Sequence, residues 1–264
     1  MPELPDVEVF KQYLDATSLH QEIEEVDVRS RQVLEGSSVR SLQRGLEGRC
    51  FESTHRHGKN LFAGLDDGNW LLLHFGMTGD LAYFKHIEDD PRYDRLLITF
   101  VNGYHLAYVS QRKLGELALI ESAEGFVERN ELGPDALRDL DLDTFKDLMA
   151  GRWAMAKSLL MDQHTLAGIG NVYSDEILFQ AGVHPRTKVN QLGEDVLERV
   201  HREIGKVLRT AIDCWAEPDQ FPANYLIPHR HPDGTCPLCG EPVERVKVSR
   251  RSAYYCSNRQ GGLA

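Results

Sequence analysis

No stretch of the 264 residues is apolar for long enough to span a bilayer, and the start of the chain has no basic-plus-apolar leader. These two absences exclude a helical membrane protein and point to a cytoplasmic one. Cysteine is scarce as well. Five residues, unevenly placed, are too few for the disulfide framework of a small secreted domain. There is no internal repeat and no low-complexity tract, which removes solenoids and disordered tails. Positive charge is in deficit: 30 Lys and Arg against 41 Asp and Glu leave a formal charge of −11. A polyanionic partner would therefore have to be met by local concentrations of positive charge, because the molecule as a whole repels it.

Such concentrations are present. From Phe221 onward six basic residues, Arg230, Arg245, Lys247, Arg250, Arg251 and Arg259, face three acidic ones, Asp233, Glu241 and Glu244. A second cluster is His55-Arg56-His57-Gly58-Lys59. Each also fits an ordinary solvated face.

Hydrophobic content of 41% and charged content of 27% suit one large or two medium globular domains. Residues 6–16 read as an opening helix. Residues 24–120 read as strands, with short apolar segments such as Trp70-Leu71-Leu72-Leu73-His74 and Leu96-Leu97-Ile98-Thr99-Phe100 divided by turn signals at Asp66-Asp67-Gly68-Asn69 and Asn102-Gly103. That pattern predicts a β-sandwich over residues 1–133, with Gly133-Pro134 as a hinge. Helical periodicity follows at 142–149, 154–161, 172–180 and 193–214, giving a helical domain at 134–216. Residues 217–264 read as a Pro-, Asp- and His-rich loop followed by a cysteine-bearing hairpin.

The chain opens Met1-Pro2-Glu3-Leu4-Pro5-Asp6-Val7-Glu8. With Met1 removed, Pro2 is an N-terminal secondary amine whose reference pKa of about 7.7–8.0 leaves a useful fraction unprotonated near neutrality. Condensed with a sugar aldehyde, such an amine gives a permanently cationic iminium, an electron sink that favours β-elimination. Glu3 lies next to it as a general acid and base. A start that merely caps a loose chain end is the plainer alternative.

Gly168-Ile169-Gly170-Asn171 joins two predicted helices. Glycines there allow close backbone approach, and the amides opening the second helix could hold a phosphate, but as a bare Gly-X-Gly the segment reads first as a tight structural turn. At the other end, Cys236-Pro237-Leu238-Cys239 followed by Cys256 has the knuckle spacing of a one-zinc ribbon, but Arg259 stands where a fourth cysteine would fall. His229 or His231 could complete the site, or the hairpin could stand without metal.

Five segments in order, the opening Met1 to Glu8, Arg56-His57-Gly58-Lys59-Asn60-Leu61, His74-Phe75-Gly76-Met77-Thr78-Gly79, the stretch 160–176 with its Ala-Gly-Ile-Gly-Asn core, and the cysteine segment 236–256, together resemble the formamidopyrimidine-DNA glycosylase and endonuclease VIII family. The resemblance spans residues 1–260. It implies an α+β fold: an N-terminal β-sandwich with flanking helices, then a helical domain with a helix-two-turn-helix and a C-terminal zinc-finger-like β-hairpin. It also implies a bifunctional DNA glycosylase and AP lyase, a monomer acting on damaged double-stranded DNA in base-excision repair, at the nucleoid. A catalytically silent protein that binds lesions or abasic sites is the alternative.

Carried over by position, Pro2 is the nucleophile and Glu3 the proton donor. Lys59 contacts phosphate and assists elimination, Asn171 binds phosphate beside the lesion, and Arg251 grips the same backbone and aids δ-elimination. Met77, Arg112 and Leu114 match the residues that fill the space left by a flipped base, although Met77 and Leu114 alone would read as strand core. Lys157 matches a lysine near the lesion pocket. The chain departs from the family in four places. Leu114 replaces a common Phe, Ser110-Gln111-Arg112-Lys113 replaces an Asp-Pro-Arg start, residues 221–234 differ from the lid of purine-specific members, and Arg259 replaces the last cysteine.

Overall fold

A computed structural model of the chain describes residues 2–261 and resolves them into two compact units, one of Pro2 with Asp6–Glu131 and one of Glu3–Pro5 with everything from Leu132 onward. Met1, whose removal the nucleophile requires, lies outside the described residues. Among the described residues no helix is long and apolar enough to cross a membrane.

The first unit is a sandwich of two antiparallel four-stranded sheets. Helix α1 (Leu4–Thr17) leads into β1 (Ile23–Val28), α2 (Val39–Leu46), β2 (Phe51–His57), β3 (Asn60–Leu65), β4 (Trp70–His74), β5 (Gly79–Phe84), β6 (Asp94–Phe100), β7 (His105–Ser110), β8 (Glu116–Ile120) and α3 (Ala123–Arg129). One sheet runs β1-β6-β7-β5 and the other β2-β3-β4-β8. Val26, Leu96, Ile98, Leu106 and Tyr108 from the first meet Leu61, Ala63, Leu71, Leu73 and Leu117 from the second in a single core. Phe62, Leu72 and Ala118 on the other face of the second sheet pack with Ala123 of α3 in a second cluster, so β3 and β4 read as short, nearly continuous apolar runs.

Helix α2 is a correction to the all-strand reading of 24–120. Its strongly amphipathic octapeptide buries Leu42 and Leu46, and the Ser38 side chain caps it by accepting from Ser41 N at 3.1 Å. Its three apolar residues in eight, Val39, Leu42 and Leu46, fit a helical period, but over so short a run they do not stand apart from the strand segments on either side.

In the second unit, α4 (Leu142–Met149), α5 (Ala156–Leu160), α6 (Asn171–Ala181) and α7 (Glu194–Asp213) precede a hairpin of β9 (Glu244–Val248) and β10 (Arg251–Tyr255). Helix α7 is amphipathic and turns Val200, Ile204, Val207, Leu208 and Ala211 inward. Helix α6 is buried on nearly every side, so the others assemble around it. Phe179 of α6 also enters a small cluster with Leu226, Cys236, Val243 and Cys256, so the helical and cysteine-bearing segments share one compact unit.

Candidate active site

The carboxylate of Glu3 is 1% exposed and is seated on the first turn of α6. Its Oε2 accepts from Gly170 N at 2.7 Å and Tyr173 N at 3.2 Å, and its Oε1 from Val172 N at 2.8 Å. Glu3 is thus an N-cap from a distant part of the chain, an anion placed where the helix dipole and free amides favour one. Leu4 continues the docking by donating its N–H to Gly168 O at 3.0 Å.

The two glycines of the turn serve this arrangement. Gly168 has φ +114, where an L side chain is strained, and a Cβ on it would lie 2.6 Å from Leu4 Cδ1. A Cβ on Gly170 would lie 2.5 Å from Glu3 Oε1 and 2.8 Å from Glu3 Cγ. Of the two readings of this turn it is the tight structural one that forms, holding the N-terminal segment with the amides of Gly170, Val172 and Tyr173 on Glu3. What the turn does to Pro2, which is half-buried, is indirect: Glu3 and Leu4 are fixed, and Pro2 is one peptide bond away.

Asn171 opens α6. Its carbonyl accepts from Lys157 Nζ at 2.9 Å and from the Arg230 guanidinium at 3.2 Å, while its Oδ1 is buried with no hydrogen-bond partner among the described residues. Lys157 corrects the expectation of a DNA contact. It is 0% exposed, and its ammonium is filled by Asn171 O, by Ser174 Oγ at 2.8 Å and by Asp175 Oδ1 at 2.7 Å. Burial pushes this lysine below its usual range, and Asp175 opposes that.

Asp175, itself inaccessible, also accepts from Arg230 Nε at 2.8 Å and from Tyr254 N of β10 at 3.1 Å. One carboxylate thereby ties α5, α6, the 221–234 stretch and the hairpin together. The neighbouring Glu176 accepts from Ile227 N and Gln180 Nε2, each at 2.8 Å. Residues 221–234 are consequently packed onto α6, with the Tyr225 hydroxyl bonded to Thr210 Oγ1 at 3.0 Å. Asp175, Glu176 and Arg230 were not singled out as organising residues by the sequence. Two adjacent acids in an otherwise apolar helix were the available signal.

Burial pushes Glu176 up to about 7, against the pull of its hydrogen bonds. The native state then holds a proton that the unfolded chain has released above its ordinary value of about 4.3. Stability from this group is present at low pH and falls as pH rises towards 7, by at most on the order of 3 kcal/mol. Glu176→Gln keeps an acceptor for Ile227 N and should flatten that part of the stability profile. Urea midpoints measured from pH 5 to 8 test this, and a slope unchanged in the variant would refute it.

Arg251 opens β10 behind a two-residue turn in which Ser249 (φ 46) and Arg250 (φ 66) are both left-handed, the backbone that a tight hairpin requires. Ser158 of α5 and Ser249 share a hydrogen bond of 2.7 Å between hydroxyls. At the far end of the hairpin, Gln260 accepts from Cys256 N at 2.9 Å and donates to Val183 O at 2.8 Å.

The thiols of Cys236, Cys239 and Cys256 lie within 4.8 Å of one another, and Cys239 and Cys256 are 3.5 Å apart. Zinc–sulfur bonds of about 2.3 Å set tetrahedral sulfur separations of roughly 3.8 Å, so the three sulfurs fit three corners of a zinc site. Neither His229 nor His231 joins this cluster among the described residues, and Arg259 offers no ligand. Three cysteines without a fourth side chain are what the sequence spacing indicated.

In the first unit, Lys59 follows Gly58 (φ +56) in the tight turn between β2 and β3. The turn is braced by Arg56, fully buried, which donates to Glu8 Oε2 of α1 at 2.6 Å and to Gly58 O at 3.2 Å. Glu8 and Arg56 are positioning residues that the motif contained without revealing their pairing.

Met77, Arg112 and Leu114 sit on two loops fastened together. Arg112 N donates to Thr78 Oγ1 at 3.1 Å, and the Tyr108 hydroxyl donates to His74 O at 2.8 Å. Gly76 (φ +58) and Gly115 are packed so closely that a Cβ on Gly76 would lie 2.6 Å from Gly115 N. Met77 is 36% exposed and Leu114 50%, so neither is the strand-core residue that its apolarity alone suggests. Arg112 is exposed too.

The chain matches two family models, the formamidopyrimidine-DNA glycosylase N-terminal domain over residues 1–117 and the H2TH domain of the same enzymes over residues 132–219. It is 30% identical to the formamidopyrimidine-DNA glycosylase of Bacillus subtilis (strain 168), covering 98% of this chain and 99% of that one. Its identity with the Arabidopsis thaliana formamidopyrimidine-DNA glycosylase is 28%, over 98% of this chain and 71% of that protein. Among solved structures it superposes on Lactococcus lactis Fpg (MutM) bound to DNA containing N7-benzyl-Fapy-dG with a TM-score of 0.90, at 25% identity over 99% of this chain and 100% of the other. A complex of Lactococcus lactis Fpg with abasic-site DNA gives a TM-score of 0.88 at 25% identity, covering 98% of this chain and 100% of the other. With its two sheets, its helical unit and its cysteine hairpin all accounted for, the chain belongs to the formamidopyrimidine-DNA glycosylase family.

Proposed function

We propose that the protein excises oxidised bases from duplex DNA and then cleaves the strand, as a bifunctional DNA glycosylase and AP lyase of base-excision repair. The observation that carries this reading is the seat of Glu3 on the amides of Gly170, Val172 and Tyr173, which fixes the residue next to the Pro2 amine. Relatives solved on abasic-site and formamidopyrimidine DNA support the substrate class.

In this mechanism the Pro2 nitrogen attacks the sugar C1′, the C1′–base bond breaks and the base leaves with a proton. The C1′–O4′ bond then breaks, O4′ taking a proton as the sugar ring opens, and the nitrogen lone pair forms the iminium. The iminium withdraws electrons, the C2′ proton is lost and the C3′–oxygen bond breaks, releasing the phosphate of the 3′ strand. Glu3 exchanges the protons, because its carboxylate lies within one residue of the amine. Lys59, Asn171 and Arg251 hold backbone phosphates around the sugar and assist the second, δ-elimination. Met77, Arg112 and Leu114 enter the stack that the flipped nucleotide leaves, at a cost of a few kcal/mol of unstacking that the phosphate contacts offset. A zinc ion, if bound, would be held by Cys236, Cys239 and Cys256 and would act structurally, bracing the hairpin that presents Arg251. We place the protein in the cytoplasm, as a monomer on the nucleoid.

Borohydride reduction tests the reading directly. Chain with a free Pro2 should give a covalent adduct with duplexes carrying an oxidised base or an abasic site, and chain retaining Met1 should give none. Tight binding to abasic-site DNA with neither adduct nor strand cleavage would leave a lesion-binding protein without turnover.

A further inference from the structure

Three stretches of the helical unit, residues 150–161, 182–193 and 245–257, contain no aspartate or glutamate, in a protein with 41 of them. The fold brings these stretches together. Met155 and Lys188 form an antiparallel bridge, with Ala156 N donating to Thr187 O at 2.8 Å and Val189 N to Ala154 O at 3.0 Å. The Arg186 guanidinium donates twice to Lys247 O, at 3.0 and 3.2 Å, and Ser158 meets Ser249. Arg152, Arg186, Lys188, Arg245, Lys247 and Arg250 are all exposed there. The neighbouring Glu244 is engaged by the Tyr255 hydroxyl at 2.7 Å. This is a positive surface on a protein of net charge −11.

At its edge stands Trp153. It is 73% exposed, the largest exposure among the exposed large hydrophobic residues, and the ammonium of Lys188 lies 5.6 Å from its ring centroid. Met155, 37% exposed, is two residues further on and on the same bridge as Lys188. Positive charge alone would serve any polyanion. A planar apolar ring held among cations asks in addition for a planar partner, and duplex DNA keeps its base faces stacked inside.

We propose that Trp153, with Lys188 over its ring and Arg152 next to it in sequence, is a stacking platform for unpaired nucleotides of single-stranded DNA, separate from the residues that remove the base. A base stacks on the indole while the cations follow the adjacent phosphates.

The test is an anisotropy titration with fluorescein-labelled oligo-dT of roughly 16 nucleotides, the upper end of single-strand site sizes. Borohydride trapping on a blunt abasic duplex serves as a separate readout. W153A should weaken oligo-dT binding on the order of ten-fold, W153F should keep most of it, and the pair R152S-K188S should lower the salt slope by about 1.4, at roughly 0.7 per phosphate contact. Trapping on the blunt duplex should be the same in all of them. Equal oligo-dT affinity of W153A and the wild type would overturn the proposal. So would self-association abolished by W153A in a protein that binds no oligo-dT. Loss of trapping in every form, with the oligo-dT difference intact, would instead count against the glycosylase reading alone.

Discussion

Replacing Gly170 by alanine should reduce adduct formation with abasic-site DNA on the order of a hundred-fold or more while leaving the helical unit folded. The backbone there, φ −130 and ψ −149, is open to alanine, so the obstacle is space and not conformation. The new methyl would overlap the Glu3 carboxyl, at 2.5 Å from Oε1. Glu3 cannot withdraw cheaply. Doing so strands three amides at the start of α6, each costing about 1–3 kcal/mol when left buried and unpaired. If the first turn of α6 moves instead, Asn171 moves with it. Either relaxation displaces the Glu3 carboxylate or the backbone leading to Pro2 by something like an ångström, and catalysis is far more sensitive to that than folding is. Overpacking of this kind typically costs about 1–3 kcal/mol of stability. Gly48 provides the control: its φ of +75 is strained for alanine but nothing lies within 4 Å, so Gly48→Ala should cost about 1 kcal/mol and no activity. Single-turnover trapping rates alongside thermal melts decide the matter, and G170A trapping at the wild-type rate would show that the seat of Glu3 does not position the nucleophile.

The contrast between Gly170 and Gly48 also marks what the sequence made legible. The sandwich could be read from short apolar segments divided by turn signals, and helices such as α4 from their period, because both are local patterns. The opening Pro2-Glu3 and the Gly168-Ile169-Gly170-Asn171 turn were each visible as chemistry, yet their union was not. Glu3 finds its amides across 167 to 170 positions of sequence, and no local rule encodes that pairing. A tight structural turn was therefore legible at 168–171, but not the carboxylate that it holds. Lys157 was misplaced for a related reason. A lysine on a short helix is normally solvated, and only the tertiary position of Asp175 makes a buried one tolerable. Met77 and Leu114 show the reverse: apolarity alone suggests core, but both are exposed above closely packed glycines, as residues matched to the filling of a flipped base's space would need to be.

Asp175→Asn should destabilise the protein by about 3–5 kcal/mol, the range for breaking a buried ion pair by removing one partner. Two cations depend on this carboxylate. Lys157 has no exposed surface through which water could replace it, and Arg230 is packed over the Tyr254 ring at 4.9 Å. Asparagine can still accept from one of them, but it cannot balance two positive charges. The loss should spread in a definite direction. Tyr254 N would compete for the remaining acceptor, loosening β10 from α6 and with it the hairpin that carries Arg251, whereas the sheets of the first unit contain none of these partners. Hydrogen exchange should therefore rise in residues 244–255 and around α5 before it rises in β3 or β4. K157M-D175N should be less destabilised than the sum of K157M and D175N, because the double change removes one of the stranded charges. Urea unfolding of the four proteins gives that cycle. If D175N unfolds within about 0.5 kcal/mol of the wild type, the range of an ordinary surface change, then the hairpin is held by Gln260, the cysteine cluster and Ser158, and the buried carboxylate is not its anchor.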